Sequence, residues 1–66
     1  MTPMDKEIIR GIADNDMNID ATARSLFLHR NTIEYHILRI KKKTGLNAKV
    51  FHDLVELLQR IEGEDE

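Results

Sequence analysis

Apolar residues recur at helical spacing in four blocks along the chain. Met4, Ile8, Ile9, Ile12 and Ala13 share one face of a first block. Thr2 suits a helix N-cap, Pro3 a first helical position, and Asp5 a place facing the free N–H groups. Asp14-Asn15-Asp16 carries turn chemistry, so the first helix is predicted over 3–14. A short second helix is predicted over 20–26, with Asp20 as its cap and Ala23 and Leu26 on its inner edge. Small Ala23 would let a neighbouring helix approach closely. Phe27-Leu28 interrupts the pattern without proline or glycine. The third helix, over 30–44, is opened by either His29 or Asn31. It buries Ile33, Ile37 and Ile40 and ends at Gly45. Its opposite face carries Asn31, Tyr35, Leu38, Arg39 and Lys42. Asn47 would cap a fourth helix over 48–61. Val50, Phe51, Leu54, Val55, Leu57, Leu58 and Ile61 give that helix an apolar arc wider than one neighbour needs. The arc either covers two helices or leaves surplus for a partner chain. Residues 63–66 read as a frayed acidic tail beyond a domain spanning 1–62. The fold class is all-α, with four helices.

Length narrows the function classes. A chain of 66 residues has room for one small core and buries about 60% of its unfolded surface, so stability is marginal. Cysteine is absent, which removes disulfides and thiolate metal sites. With 41% hydrophobic and 33% charged residues the chain falls on the folded side of the disordered class. It has neither an apolar run long enough for a membrane span nor the layout of a signal peptide. A soluble, cytoplasmic, nucleoid-associated protein is expected, with no membrane partner.

The net charge of −2 at first argues against nucleic acid, but its distribution reverses the argument. Residues 21–50 carry Arg24, Arg30, Arg39, Lys41, Lys42, Lys43 and Lys49 against one acid, Glu34, a local charge of about +6. The rest holds three bases against eleven acids. Polyanion binding follows the local field, so the basic middle outweighs the total.

Two unequal helices joined by a short turn, the second one basic, have the layout of a helix-turn-helix. The second helix would cross the DNA backbone and the third would enter the major groove. Asn18, Thr22-Ala23, Leu26, then Leu28-His29-Arg30-Asn31-Thr32 with Tyr35, and Thr44-Gly45-Leu46 at the matching distance, resemble the C-terminal helix-turn-helix of PucR-type regulators. That family includes the sugar-diacid regulators and is similar to Fis-like DNA-binding domains. The match is close over 18–46 and looser through the fourth helix. The resemblance implies a bacterial transcription-factor domain that binds double-stranded DNA. It also implies that such a domain usually sits at the C-terminus of a longer regulator that senses a small molecule, and the chain itself reads equally as an excised piece or a full-length protein. Three positions depart from the family, which tends to be basic where this chain has Glu34, His36 and Leu38. The DNA face would be less basic for it. Asp20 stands where Ser is usual.

Arg30 is the foremost base-reading candidate, able to bridge guanine O6 and N7 or to clamp a phosphate. Asn31 and Thr32 can bond bases or cap the third helix, and His29 has the same two readings. Tyr35 either reaches a phosphate and a thymine methyl or packs on the second or fourth helix. Arg39, Lys42 and Lys43 suit phosphates, and the last-turn lysines also complement the helix dipole. Thr22 and Arg24 are candidate backbone contacts from the second helix. Glu34 would accept from cytosine N4 or pair with Arg30. Leu38 is a thymine-methyl contact or part of an interface. His29 and His36 lie about 10.5 Å apart in helical rise, which precludes shared metal coordination. No nucleophile, base and orienting group stand together, so neither a metal, a cofactor, a small-molecule site nor an enzyme is expected. The alternative function is a protein-interaction module, a homodimer formed through helix 48–61.

Overall fold

The computed structural model describes residues 1–65, with side chains through Glu64. These residues form four α-helices and no strand: α1 (Pro3–Asp14), α2 (Ile19–Leu26), α3 (Arg30–Thr44) and α4 (Phe51–Asp65). The backbone of α1 approaches all three other helices, whereas among the described residues that of α4 approaches α1 alone. The core sits around α1. Ile8, Ile9 and Ile12 are fully buried against Ile33, Ile37 and Ile40 of α3 and Leu54, Leu57 and Ile61 of α4.

The ends of α1 follow from local chemistry. The Thr2 hydroxyl accepts the Asp5 N–H at 3.1 Å, and the Asp5 carboxylate accepts the Thr2 N–H at 3.2 Å, a reciprocal capping box. After Asp14 the chain turns through Asp16 and Met17, both at positive φ, and the Met17 N–H returns to the Ile12 carbonyl at 2.7 Å. Gly11 is where α1 and α2 come closest. A Cβ there would lie 3.1 Å from both Thr22 Cγ2 and Leu26 Cδ1. The close approach expected of Ala23 is thus made at Gly11, with buried Ala23 as a second small residue.

Several expectations are corrected. Asn18, not Asp20, caps α2, its side chain accepting the Ala21 N–H at 2.9 Å, so the helix starts one residue early. Helix α4 begins at Phe51 rather than Ala48. Asn47 forms a turn first: its Oδ1 accepts the Lys49 N–H and its carbonyl the Val50 N–H, both at 2.9 Å. At its other end α4 continues through Asp65, past Ile61, so most of the expected tail is helical; Glu66 lies outside the described residues. Met4 is 37% exposed rather than core, while its neighbour Asp5 is fully buried.

Asp5 is buried because it serves two helices. His36 of α3 donates from Nδ1 to Asp5 Oδ1 at 2.9 Å, locking α3 onto the first turn of α1. Burial by itself raises the pKa of the Asp5 carboxyl. The hydrogen bonds from His36, the Thr2 backbone and the Thr2 hydroxyl, with the charge of Arg39, outweigh burial and hold it below the ordinary carboxylate value. A carboxylate held below its unfolded pKa contributes stability above about pH 4, and that stability is lost as pH falls through the folded-state value. Asp5→Ala is expected to cost about 1–3 kcal/mol at pH 7, as a lost cap and an orphaned buried partner. Thermal melts at pH 7, 5 and 3 should show the gap from wild type narrowing as pH falls. A gap independent of pH would contradict this role.

Candidate nucleic-acid interface

The turn between α2 and α3 sets the direction of the third helix. Phe27 ends α2 in the left-handed region at φ 56°, and the Leu28 N–H reaches back to the Ala23 carbonyl at 2.9 Å. His29 then caps α3. Its Nδ1 accepts the Asn31 N–H at 3.0 Å, which leaves Nε2 as the donor of this exposed ring. This decides between the two expected caps and releases the Asn31 side chain to the surface.

Helix α3 buries one stripe and presents the other. Ile33, Ile37 and Ile40 face the core, and His29, Arg30, Asn31, Tyr35, Leu38 and Lys42 are exposed. Tyr35 is 61% exposed, with its ring edge-on to His36 at a centroid distance of 5.4 Å. At that exposure it is not a core aromatic. Thr32 and Arg39 are half-buried at the edge nearer α1, where the charge of Arg39 reaches Asp5. Lys41, Lys42 and Lys43 crowd the exposed last turn. Gly45 closes it at φ 77°, its N–H bonded to the Lys41 carbonyl at 2.8 Å. Arg24 is exposed in the last turn of α2.

Two expected positions leave this surface. Thr22 is fully buried, and its hydroxyl donates to the Asn18 carbonyl at 2.8 Å, with the Gly11 carbonyl at 3.4 Å. Its side chain is the seam between α1 and α2 and has no face left for a backbone phosphate. His36, counted as a departure that weakens the DNA face, points to Asp5 instead and subtracts nothing from that face.

Other residues join the surface from beyond α3. The segment after Gly45 folds back so that Asn47 and Lys49 form a shallow groove with Asn31, Tyr35, Leu38 and Lys41. Lys49 Nζ lies 2.6 Å from Glu34 Oε2, and Arg30 Nε lies 4.0 Å from Glu34 Oε1. On its other side Arg30 Nη1 donates to Asp20 Oδ1 at 2.9 Å. The 15-residue separation of Glu34 from Lys49 and the 10-residue separation of Asp20 from Arg30 have no periodic signature, so these pairs could not be found along the chain. Lys41 could have been, since it lies beside Arg30 and Glu34 on a helical projection.

Among the described residues no group of His, Asp or Glu comes together as a metal site, and no helix is long and apolar enough to cross a membrane. The surface is a convex helix face with mixed donors, a basic end and no enclosed cleft, a shape suited to entering a groove in a polyanion.

Comparison with known proteins gives the chain a family. The sequence pattern of the PucR C-terminal helix-turn-helix domain matches residues 7–62. A carbohydrate diacid regulator of Escherichia coli (strain K12) is 41% identical over 46 residues, which is 70% of this chain and 12% of that protein. The chain therefore spans about an eighth of the length of this relative. No solved structure matches.

The left-handed turn supplies a test. Phe27 is 95% exposed and occupies a conformation that favours glycine. Phe27→Gly is expected to stabilise the chain by about 1 kcal/mol, because it relieves backbone strain and removes no packing. Thermal melts should show a rise of roughly 4–8 °C. A fall would mean that the phenyl ring makes a stabilising contact.

Proposed function

Because the chain belongs to the PucR C-terminal helix-turn-helix family, we infer that it is the DNA-reading part of a transcriptional regulator and binds duplex DNA with α3 in the major groove. The observation that carries this is the exposed strip from His29 to Lys43. It places Arg30, Asn31 and Tyr35 at the leading half of α3 and three consecutive lysines at its trailing end. Arg30 reads a guanine edge, Asn31 an adenine edge, and Tyr35 a thymine methyl or a phosphate. The Nε2–H of His29, Thr32 at the edge, and Arg24 on α2 serve the backbone. Arg39, Lys42 and Lys43 neutralise phosphates, joined by Lys41. The acids of the flanks steer the chain so that only this face approaches the duplex.

Affinity for a labelled duplex is expected to fall with salt at a slope of roughly −3 to −4, as for three or four neutralised phosphates. Arg30→Ala should lose about 1–3 kcal/mol on a duplex selected from random DNA, and less on random DNA itself. Lys42→Ala should weaken both alike and flatten the slope by about one. A salt-independent affinity, or equal losses for both substitutions on both duplexes, would reject this reading.

The alternative reading, self-association through α4, has an observation of its own. Phe51 is 63% exposed, and it borders an apolar groove with Met17, Val55 and Leu58. A second copy covering that groove would place two α3 helices on two half-sites. Sedimentation of the wild type and Phe51→Glu is the check. A concentration-dependent dimer that Phe51→Glu abolishes is expected, and a wild type that stays monomeric at all concentrations removes the interface.

A further inference from the structure

Arg30 is not a loose surface cation. It lies between two carboxylates from different parts of the fold, with Asp20 of α2 at 2.9 Å from Nη1 and Glu34 at 4.0 Å from Nε. Glu34 is itself held by Lys49 at 2.6 Å, so the chain of charges runs from α2 across α3 to the segment before α4. Asp20 is free for this because Asn18 already caps α2. An arginine side chain has several rotatable bonds, and fixing it in one geometry carries an entropic cost. Here part of that cost is met in the free protein. The bond to Asp20 uses one donor on Nη1, and among the described residues Nη2 keeps both of its own for an incoming group.

Neutralisation is the second consequence. A guanidinium flanked by two carboxylates is a poor partner for a phosphate, because the acids repel the same anion that the arginine attracts. A guanine edge presents two acceptors without net charge and is repelled far less. The clamp therefore favours base over backbone at this position.

We propose that Asp20 is a positioning and specificity-determining residue, which orients the Arg30 guanidinium as a base-reading fork and bars phosphate from it. Glu34, anchored by Lys49, is the opposite jaw. The proposal rests on α3 reading DNA, as above, and adds a role for acids on a face whose other charges are basic.

The test is Asp20→Asn, which keeps the size of the side chain and removes its charge. Both side chains of the pair are more than half exposed, at 56% and 57%. The substitution should therefore leave the thermal midpoint nearly unchanged, since exposed ion pairs contribute little to stability. Binding is measured on the selected duplex and on random duplex, for wild type, Asp20→Asn, Arg30→Ala and the double variant. Affinity of Asp20→Asn for random DNA should rise about two- to fivefold. The ratio of selected to random affinity should fall about tenfold. In the Arg30→Ala background Asp20→Asn should leave that ratio unchanged, because there is no fork left to orient. An equal rise on both duplexes would show that Asp20 only dilutes the positive field, and would overturn the proposal. So would an unchanged ratio, or a fall that persists without Arg30. If wild type itself does not distinguish the two duplexes, base reading by α3 fails and this proposal fails with it. If wild type discriminates and Asp20→Asn does so equally, only the clamp fails.

Discussion

A 66-residue chain has one opportunity to build a core, and here every helix must reach α1 to share it. Ile8, Ile9 and Ile12 are buried from several sides at once. The stiff, branched isoleucines of α1 and α3 leave few ways to interdigitate, so the angle at which α3 leaves the body is set by their shapes. Asp5 adds a polar constraint at the edge of that contact. A buried carboxylate is costly unless its oxygens are bonded, and the two partners that satisfy it are the start of α1 and His36 of α3. Hydrophobic packing and this one bonded carboxylate together hold the presenting helix in place.

Once α3 is fixed on its isoleucine side, the composition of its other side becomes an exposed surface of defined order. Hydrogen-bonding groups lead and lysines trail, because the cap at His29 and the stop at Gly45 mark its two ends. The lysines do two things there, compensating the helix dipole and projecting positive charge. The acids that touch this face, Asp20 and Glu34, are each paired with a base. Net charge is therefore a weak guide to the field that a partner meets, which depends on which charges are already paired and which way they face.

Helix α4 is less completely used. Its backbone approaches α1 and no other helix among the described residues. Leu54, Leu57 and Ile61 are consumed in that contact, and Phe51 and Val55 are left outside. The wide apolar arc was legible along the chain because helical periodicity displays it. The division of the arc into covered and uncovered parts was not, since it depends on how many helices lie beside it.

Local rules account for most of the architecture. The 3.6-residue period of the isoleucines, Pro3 after Thr2, and glycine at 45 place α1 and α3, because backbone hydrogen bonding and capping are decided within a few residues of each position. The resemblance carried by residues 18–46 likewise pointed to the family. The fold departs from these rules where two local readings are equivalent. Asn18 and Asp20 are both good caps, and Asn47 suits a turn as well as a cap. In the fold Asn18 caps while Asp20 pairs with Arg30, and Asn47 makes the turn. Thr22 looked available for DNA because its type is polar, yet the close approach at Gly11 buries it. His36 stands where the family tends to be basic on the DNA face, yet its side chain turns inward to the buried Asp5. The helices, the basic middle and the family follow from order along the chain, because each depends on near neighbours. Which polar groups are spent inside, and which charges meet across helices, follows from the packing, because those energies depend on distances between residues far apart in sequence.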